Sequence, residues 1–100
     1  MEQLKSKIDR GDDFFLLDVR EPNEFQICRI AGATLIPLGE LARRTGELDR
    51  DREMVVQCKV GARSARAVSL LQERGFTRVS NLKGGILAWI DRVDPSLAKY

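Results

Sequence analysis

Met54-Val55-Val56-Gln57-Cys58-Lys59-Val60-Gly61-Ala62-Arg63 runs from a short apolar segment, through a connection that carries a glycine, into a periodic stretch, and its reading decides the fold. Met54 to Cys58 predicts a strand, Lys59 to Ala62 a tight connection, and the residues beyond a helix that starts near Arg63. In that helix Ser64, Ala67, Val68 and Leu71 recur at i, i+3, i+4 and i+7, while Arg66, Ser69, Glu73 and Arg74 turn away and Gly75 supplies the stop. A strand that turns directly into an amphipathic helix is a unit of an α/β sheet.

The flanking sequence repeats the alternation. Upstream, Phe14-Phe15-Leu16-Leu17-Asp18-Val19 is apolar on both alternating faces until Asp18, as a strand buried between helical layers should be. Leu4 and Ile8 lie one helical turn apart before Gly11, which predicts a helix from about Glu2 to Arg10. Glu21-Pro22-Asn23-Glu24 reads as a loop entering a short helical turn, because proline is tolerated in a first turn. Thr34-Leu35-Ile36 is a brief strand closed by Pro37, and a helix follows from Leu38 to about Glu47, with Gly46 blurring its end. Downstream, Val79 to Leu82 is a further strand. Gly84-Gly85 opens a last helix in which Ile86, Trp89, Ile90 and Val93 keep the helical period until Asp94-Pro95. The fold class is therefore α/β: a central parallel sheet of four or five strands with helices on both faces and right-handed crossovers. With no internal repeat, residues 1–100 read as a single domain. No strand precedes the first helix, and the expectation is a domain excised from a longer chain.

Composition narrows the function. A chain of 100 residues buries roughly 65% of its unfolded surface, enough for one core. Its 17 basic and 15 acidic residues leave a net charge of +2, with both signs interleaved, so the electrostatic footprint of nucleic-acid or membrane-surface binding is missing. Histidine is absent, which removes an imidazole base, a Ser-His-Asp triad and histidine metal ligands. Two cysteines, Cys28 and Cys58, are too few for a four-ligand zinc site or a disulfide scaffold, and neither metal nor cofactor is expected. The apolar run Phe14 to Leu17 is too short for a signal-peptide core or a membrane span, so a reducing cytoplasmic setting is the expectation.

Parallel sheets bind ligands where strands turn into helices. Asp18 and Arg20 reach that edge from one strand, and Cys58 with Lys59-Val60-Gly61-Ala62-Arg63-Ser64 from another. Gly61 lets the backbone turn with its amides inward, the new helix aims its free N–H groups and dipole at the same spot, and Lys59 and Arg63 add positive charge. A thiol in that field loses its proton more readily, so Cys58 is the candidate nucleophile despite the missing histidine. Cys28, with no cradle around it, reads as packing. Asp18 and Arg20 are either an ion pair at a strand end or groups that orient the loop or an incoming anion. Glu21 and Glu24 read as solvated charges or cap partners, Trp89 as core, and Gly84-Gly85 as a close helix–sheet approach, since G-x-G-x-x-G is absent.

Four motifs in order, Leu16-Leu17-Asp18-Val19-Arg20-Glu21, Glu24-Phe25 with Ile30-Ala31-Gly32-Ala33, Cys58 to Ser64, and Lys83-Gly84-Gly85 with Trp89, resemble a rhodanese domain over nearly the whole chain. The resemblance implies a rhodanese-like fold and a sulfurtransferase in which Cys58 accepts a sulfane sulfur as a persulfide and passes it on. It implies that the loop amides hold the persulfide while Arg63 and Lys59 attract an anionic donor such as thiosulfate. The loop from Cys58 to Arg63 has six residues. That length goes with sulfur in the family, while similar dual-specificity phosphatases have one residue more and arsenate-reducing relatives share the short form. The segment Trp89 to Tyr100, together with Leu35-Ile36-Pro37-Leu38, is similar to the C-terminal rhodanese domain fused behind an E1-like adenylyltransferase in molybdopterin-synthase sulfurylase proteins. This implies an upstream adenylyltransferase domain, thiosulfate or a desulfurase persulfide as donor, and the adenylated C-terminal glycine of a small ubiquitin-like sulfur carrier as acceptor, for molybdopterin or tRNA thiolation. Where many relatives have Gly-His this chain has Cys28-Arg29, which raises a sulfur-relay role for Cys28.

Two other functions fit the same residues: a catalytically weak rhodanese-like module that docks the carrier, and a thiolate enzyme acting on arsenate or phosphate esters. An obvious acid following the loop, which a phosphatase would need as proton donor, is missing.

Overall fold

The strands are β1 (Phe15–Asp18), β2 (Thr34–Leu35), β3 (Met54–Gln57) and β4 (Val79–Asn81). In the computed structural model, which describes residues 2–100, they form one parallel sheet in the order β2-β1-β3-β4. β1 and β3 are central and largely buried on both faces, which is why their sequences are continuous apolar runs rather than alternations. Edge strands β2 and β4 are shorter and more exposed.

Helices cover both faces. They are α1 (Glu2–Arg10), α2 (Pro22–Ile27), α3 (Leu38–Arg44), α4 (Ala62–Glu73) and α5 (Gly85–Arg92). On one face Leu41 of α3 and Ala67 and Leu71 of α4 meet Leu17, Val19, Met54 and Val56. On the other, Leu4 of α1 and Ile86, Trp89 and Ile90 of α5 meet Leu16, Val55 and Leu82. The inward set expected for α4 is observed: Ser64, Ala67 and Leu71 are buried and Val68 half-buried, while Arg66, Ser69 and Glu73 face solvent.

The departures are local. The helix expected to run to about Glu47 breaks at Arg44 and tightens into a 3-10 turn over Thr45–Glu47, where Gly46 has little α-helical propensity. α4 starts at Ala62, one residue earlier than Arg63, because Gly61 takes the cap position at φ +114°, a left-handed conformation that side chains disfavour. Of the two strand counts expected, the described residues hold four.

β1 and β3 are neighbours, yet the chain leaves β1 toward β2 on one side and continues from β3 to β4 on the other. The strand order reverses between them, which opens a crevice at their C-terminal ends. Asp18 and Gln57 are register partners there, and Cys58 is the next residue of β3's chain.

Candidate active site

Cys58 enters the crevice at the last step of β3, and its side chain is almost fully buried. Its sulfur receives the backbone N–H of Gly61 at 3.1 Å and that of Ser64 at 3.4 Å, and lies 3.3 Å from Ser64 Oγ. Gly61's left-handed turn and the first turn of α4 aim these donors inward. Burial works against the thiolate, but the Ser64 hydroxyl and the Ser64, Gly61 and Val60 amides outweigh it, so the thiol titrates below its ordinary value. Val60, at the rim of the loop, is 57% exposed.

Lys59 and Arg63, expected as open positive charge, are both engaged. Arg63 is held by Glu24 in a two-pronged ion pair, Nη1 to Oε1 at 2.7 Å and Nη2 to Oε2 at 2.9 Å. Lys59 Nζ sits 4.4 Å from the centre of the Tyr100 ring. The Tyr100 hydroxyl donates to Glu24 Oε2 at 2.7 Å and accepts from Arg20 Nη1 at 2.9 Å. Glu24 is therefore a half-buried member of the site rather than a solvated charge, although it also caps α2 by accepting the Glu21 N–H. The Arg63 guanidinium, set against the cost of burial, holds the Glu24 carboxyl at about 2, helped by the Glu21 amide and Tyr100. Burial and the Glu24 charge push the Tyr100 hydroxyl up to about 12 against the pull of Arg20.

Asp18 and Arg20 form a fully buried ion pair. Arg20 Nη2 donates to Asp18 Oδ2 and to the Cys28 carbonyl, both at 2.7 Å, and Nη1 reaches the Glu24 carbonyl as well as Tyr100. Burial opposes the Arg20 charge and the Asp18 and Tyr100 contacts outweigh it, so its affinity for its proton rises. The pair makes no hydrogen bond to Cys58; it fastens the end of β1 to α2 and so positions Glu24. Cys28 packs with Leu16, Ile30 and Val55 on one face of the sheet, while Cys58 packs with Val56 and Leu71 on the other, which separates the two sulfurs.

Two further residues complete the loop's support. Ser64 Oγ donates to Asn81 Oδ1, and Asn81 Nδ2 donates to the Gly61 carbonyl at 3.2 Å, so the end of β4 braces the turn. The strand-end rule that singles out β1 and β3 applies equally to β4 and would have found Asn81. The first turn of α5 lies directly under the loop: Ile86 N–H donates to the Cys58 carbonyl at 2.8 Å and Leu87 N–H to that of Lys59 at 3.2 Å. A Cβ on Gly85 would lie 2.5 Å from both carbonyl oxygens. The Gly84-Gly85 pair thus serves helix–sheet packing at the site itself. Tyr100 had no local signal, since it meets Glu24 across 76 residues. Among the described residues no group of His, Cys, Asp and Glu could hold a metal ion, and no helix is long and apolar enough to cross a membrane.

A cysteine on the turn between a central parallel strand and its helix defines a class of α/β domains. Within it, this chain belongs to the rhodanese-like domain family, whose model matches residues 1–92. It is 38% identical over 88 residues to a sulfurtransferase of Allochromatium vinosum, covering 88% of this chain and 82% of that protein. It is also 38% identical over 100 residues to the probable adenylyltransferase/sulfurtransferase MoeZ of Mycobacterium tuberculosis, covering 98% of this chain but only 26% of MoeZ. Among solved structures, a rhodanese-related protein of Thermoplasma volcanium superposes with a TM-score of 0.83 at 36% identity, over 92% of this chain and 88% of that one. A rhodanese-like domain protein of Staphylococcus aureus gives 0.84 at 27% identity, over 99% and 93%.

Proposed function

We propose that this domain is a sulfurtransferase that carries a sulfane sulfur as a persulfide on Cys58. The observation that carries the reading is the sulfur's setting: two backbone amides and a hydroxyl converge on it at the head of α4. A thiolate held this way attacks the outer sulfur of a donor R–S–S; the donor's S–S bond breaks and the leaving group departs with the electron pair, leaving Cys58–S–S⁻. The terminal sulfur, one bond further out, extends toward the rim, where the loop amides and the α4 dipole favour its charge. Relatives named as sulfurtransferases support the general activity.

The acceptor we propose is the adenylated C-terminal glycine of a small ubiquitin-like sulfur carrier. The persulfide attacks the acyl carbonyl, AMP leaves, and a second thiol cleaves the S–S bond to release a thiocarboxylate. Similarity to MoeZ and to the maize adenylyltransferase and sulfurtransferase MOCS3-1 supports this, with an adenylating domain supplied beside this one. The exposed apolar Val60 at the loop rim suits a protein acceptor.

Intact-protein mass spectrometry after incubation with a sulfur donor, with and without reductant, tests the reading. One added sulfur that reductant removes and that Cys58→Ala lacks is expected. A folded wild type that gains no sulfur from any donor overturns it.

A further inference from the structure

The charge at the mouth of the site differs from what an enzyme for small anions would present. Arg63 stands in the first turn of α4, whose head holds the Cys58 sulfur, and it is the one guanidinium of the loop. Both arms of its fork are taken by Glu24, whose side chain is only 12% exposed and whose second oxygen is also held by Tyr100. Lys59 lies over the Tyr100 ring. At Arg63 a dianion approaching Cys58 thus meets an ion pair with no net charge, one member of which is a carboxylate, while Lys59 keeps its positive charge over the ring. A site built to collect thiosulfate would leave its arginine fork open, since a bidentate guanidinium is the group best matched to such an oxyanion.

We infer that Glu24 is a specificity-determining residue: by occupying Arg63 it turns the Cys58 loop away from dianionic sulfur donors and toward donors that bring one negative charge or none, of which a thiol persulfide is the fitting class. The inference rests on the proposed sulfurtransferase reading and adds the donor class to it. With such a donor the step is Cys58–S⁻ + R–S–SH → Cys58–S–SH + R–S⁻: the outer sulfur moves to Cys58, the donor's S–S bond breaks, and the thiolate R–S⁻ leaves with the electron pair. With thiosulfate the same attack releases sulfite, so the two chemistries differ at the mouth mainly in charge.

Charge can be isolated with two donors of like leaving groups, thiosulfate (a dianion) and methanethiosulfonate (a monoanion). In each case Cys58–S⁻ takes the outer sulfur, and sulfite or methanesulfinate leaves. Glu24→Gln keeps the shape, removes one negative charge and leaves Arg63 a single acceptor, because the amide NH2 that replaces one carboxylate oxygen only donates. At a separation of about 6 Å, with even the dielectric constant of bulk water, one charge changes the encounter by about threefold per unit of donor charge. The expected result is a rise in kcat/KM of about threefold for methanethiosulfonate and about tenfold for thiosulfate, the second being the square of the first. Tyr100→Phe, which keeps both charges, should leave the ratio between the two donors within about twofold of wild type. Equal factors for the two donors in Glu24→Gln, no gain with thiosulfate, or a ratio displaced by Tyr100→Phe would overturn the inference while persulfide formation stands. Absence of any persulfide on wild type and variant with both donors and with an alkyl persulfide would instead overturn the sulfurtransferase reading beneath it.

Discussion

Replacing Ser64 with alanine separates the hydroxyl's contribution to Cys58 from that of the amides. The hydroxyl has one proton and three neighbours that can accept it: the sulfur, the Gly61 carbonyl and Asn81 Oδ1. While Cys58 is a thiol, its S–H can donate to Ser64 Oγ and the hydroxyl proton goes to Asn81; once Cys58 ionises, the hydroxyl turns to the sulfur. A hydrogen bond to a charged group contributes about 1.5–3 kcal/mol and the neutral one given up about 1, so the hydroxyl favours the thiolate by roughly 0.5–2 kcal/mol, near tenfold toward the middle of that range. Ser64→Ala should therefore shift the pH profile of Cys58 alkylation by iodoacetamide upward, with Cys28→Ala as the common background. The weaker hydrogen bonding also makes each thiolate more reactive, about threefold at a Brønsted slope near 0.5. The profiles should cross: the variant about threefold slower at pH below both midpoints and about threefold faster above them. Burial of Cys58 limits access equally in both proteins and cancels in the ratio. Superimposed profiles, or a variant faster at every pH, would refute the assignment of the hydroxyl to the thiolate.

Gly85→Ala sets a methyl against the Cys58 and Lys59 carbonyls at a φ of +62°, and should cost at least about 2 kcal/mol, seen as a Tm lower by roughly 10 °C with sulfur loading impaired; an unchanged Tm would show that α5 does not seat the loop. Arg20→Met strands the Asp18 carboxylate in the interior and should cost about 3–5 kcal/mol in urea unfolding, much of it recovered when Asp18→Asn is added; equal losses in single and double variants would mean that the ion pair is not the cause. Glu24 has a folded-state value of about 2 against an ordinary 4.5, so its contribution is complete above pH 4.5 and is lost as pH falls toward 2. Screening at the 34% exposed Arg63 reduces that contribution to roughly 1–2 kcal/mol, and Glu24→Gln should flatten the stability profile by that amount over the same window, a flattening whose absence would count against the pair.

The sequence by itself determined the layered α/β fold, the helix faces and the arrival of Cys58 at a strand end beside a glycine turn and a helix start. Those features follow from short-range rules: side-chain period, backbone freedom at Gly61 and the direction of a helix's free amides act within a few residues of one another. Asp18 and Arg20 were placed at the same edge, but whether they pair or face a ligand depended on what lay above them. Only the tertiary structure decided the charge at the mouth. Glu24 reaches Arg63 across 39 residues and Tyr100 reaches Glu24 across 76, and an ion pair of that kind depends on how α2, α4 and the C-terminal segment dock, which no local spacing encodes. The same holds for Gly85, whose part in the site exists because α5 packs beneath the Cys58 loop.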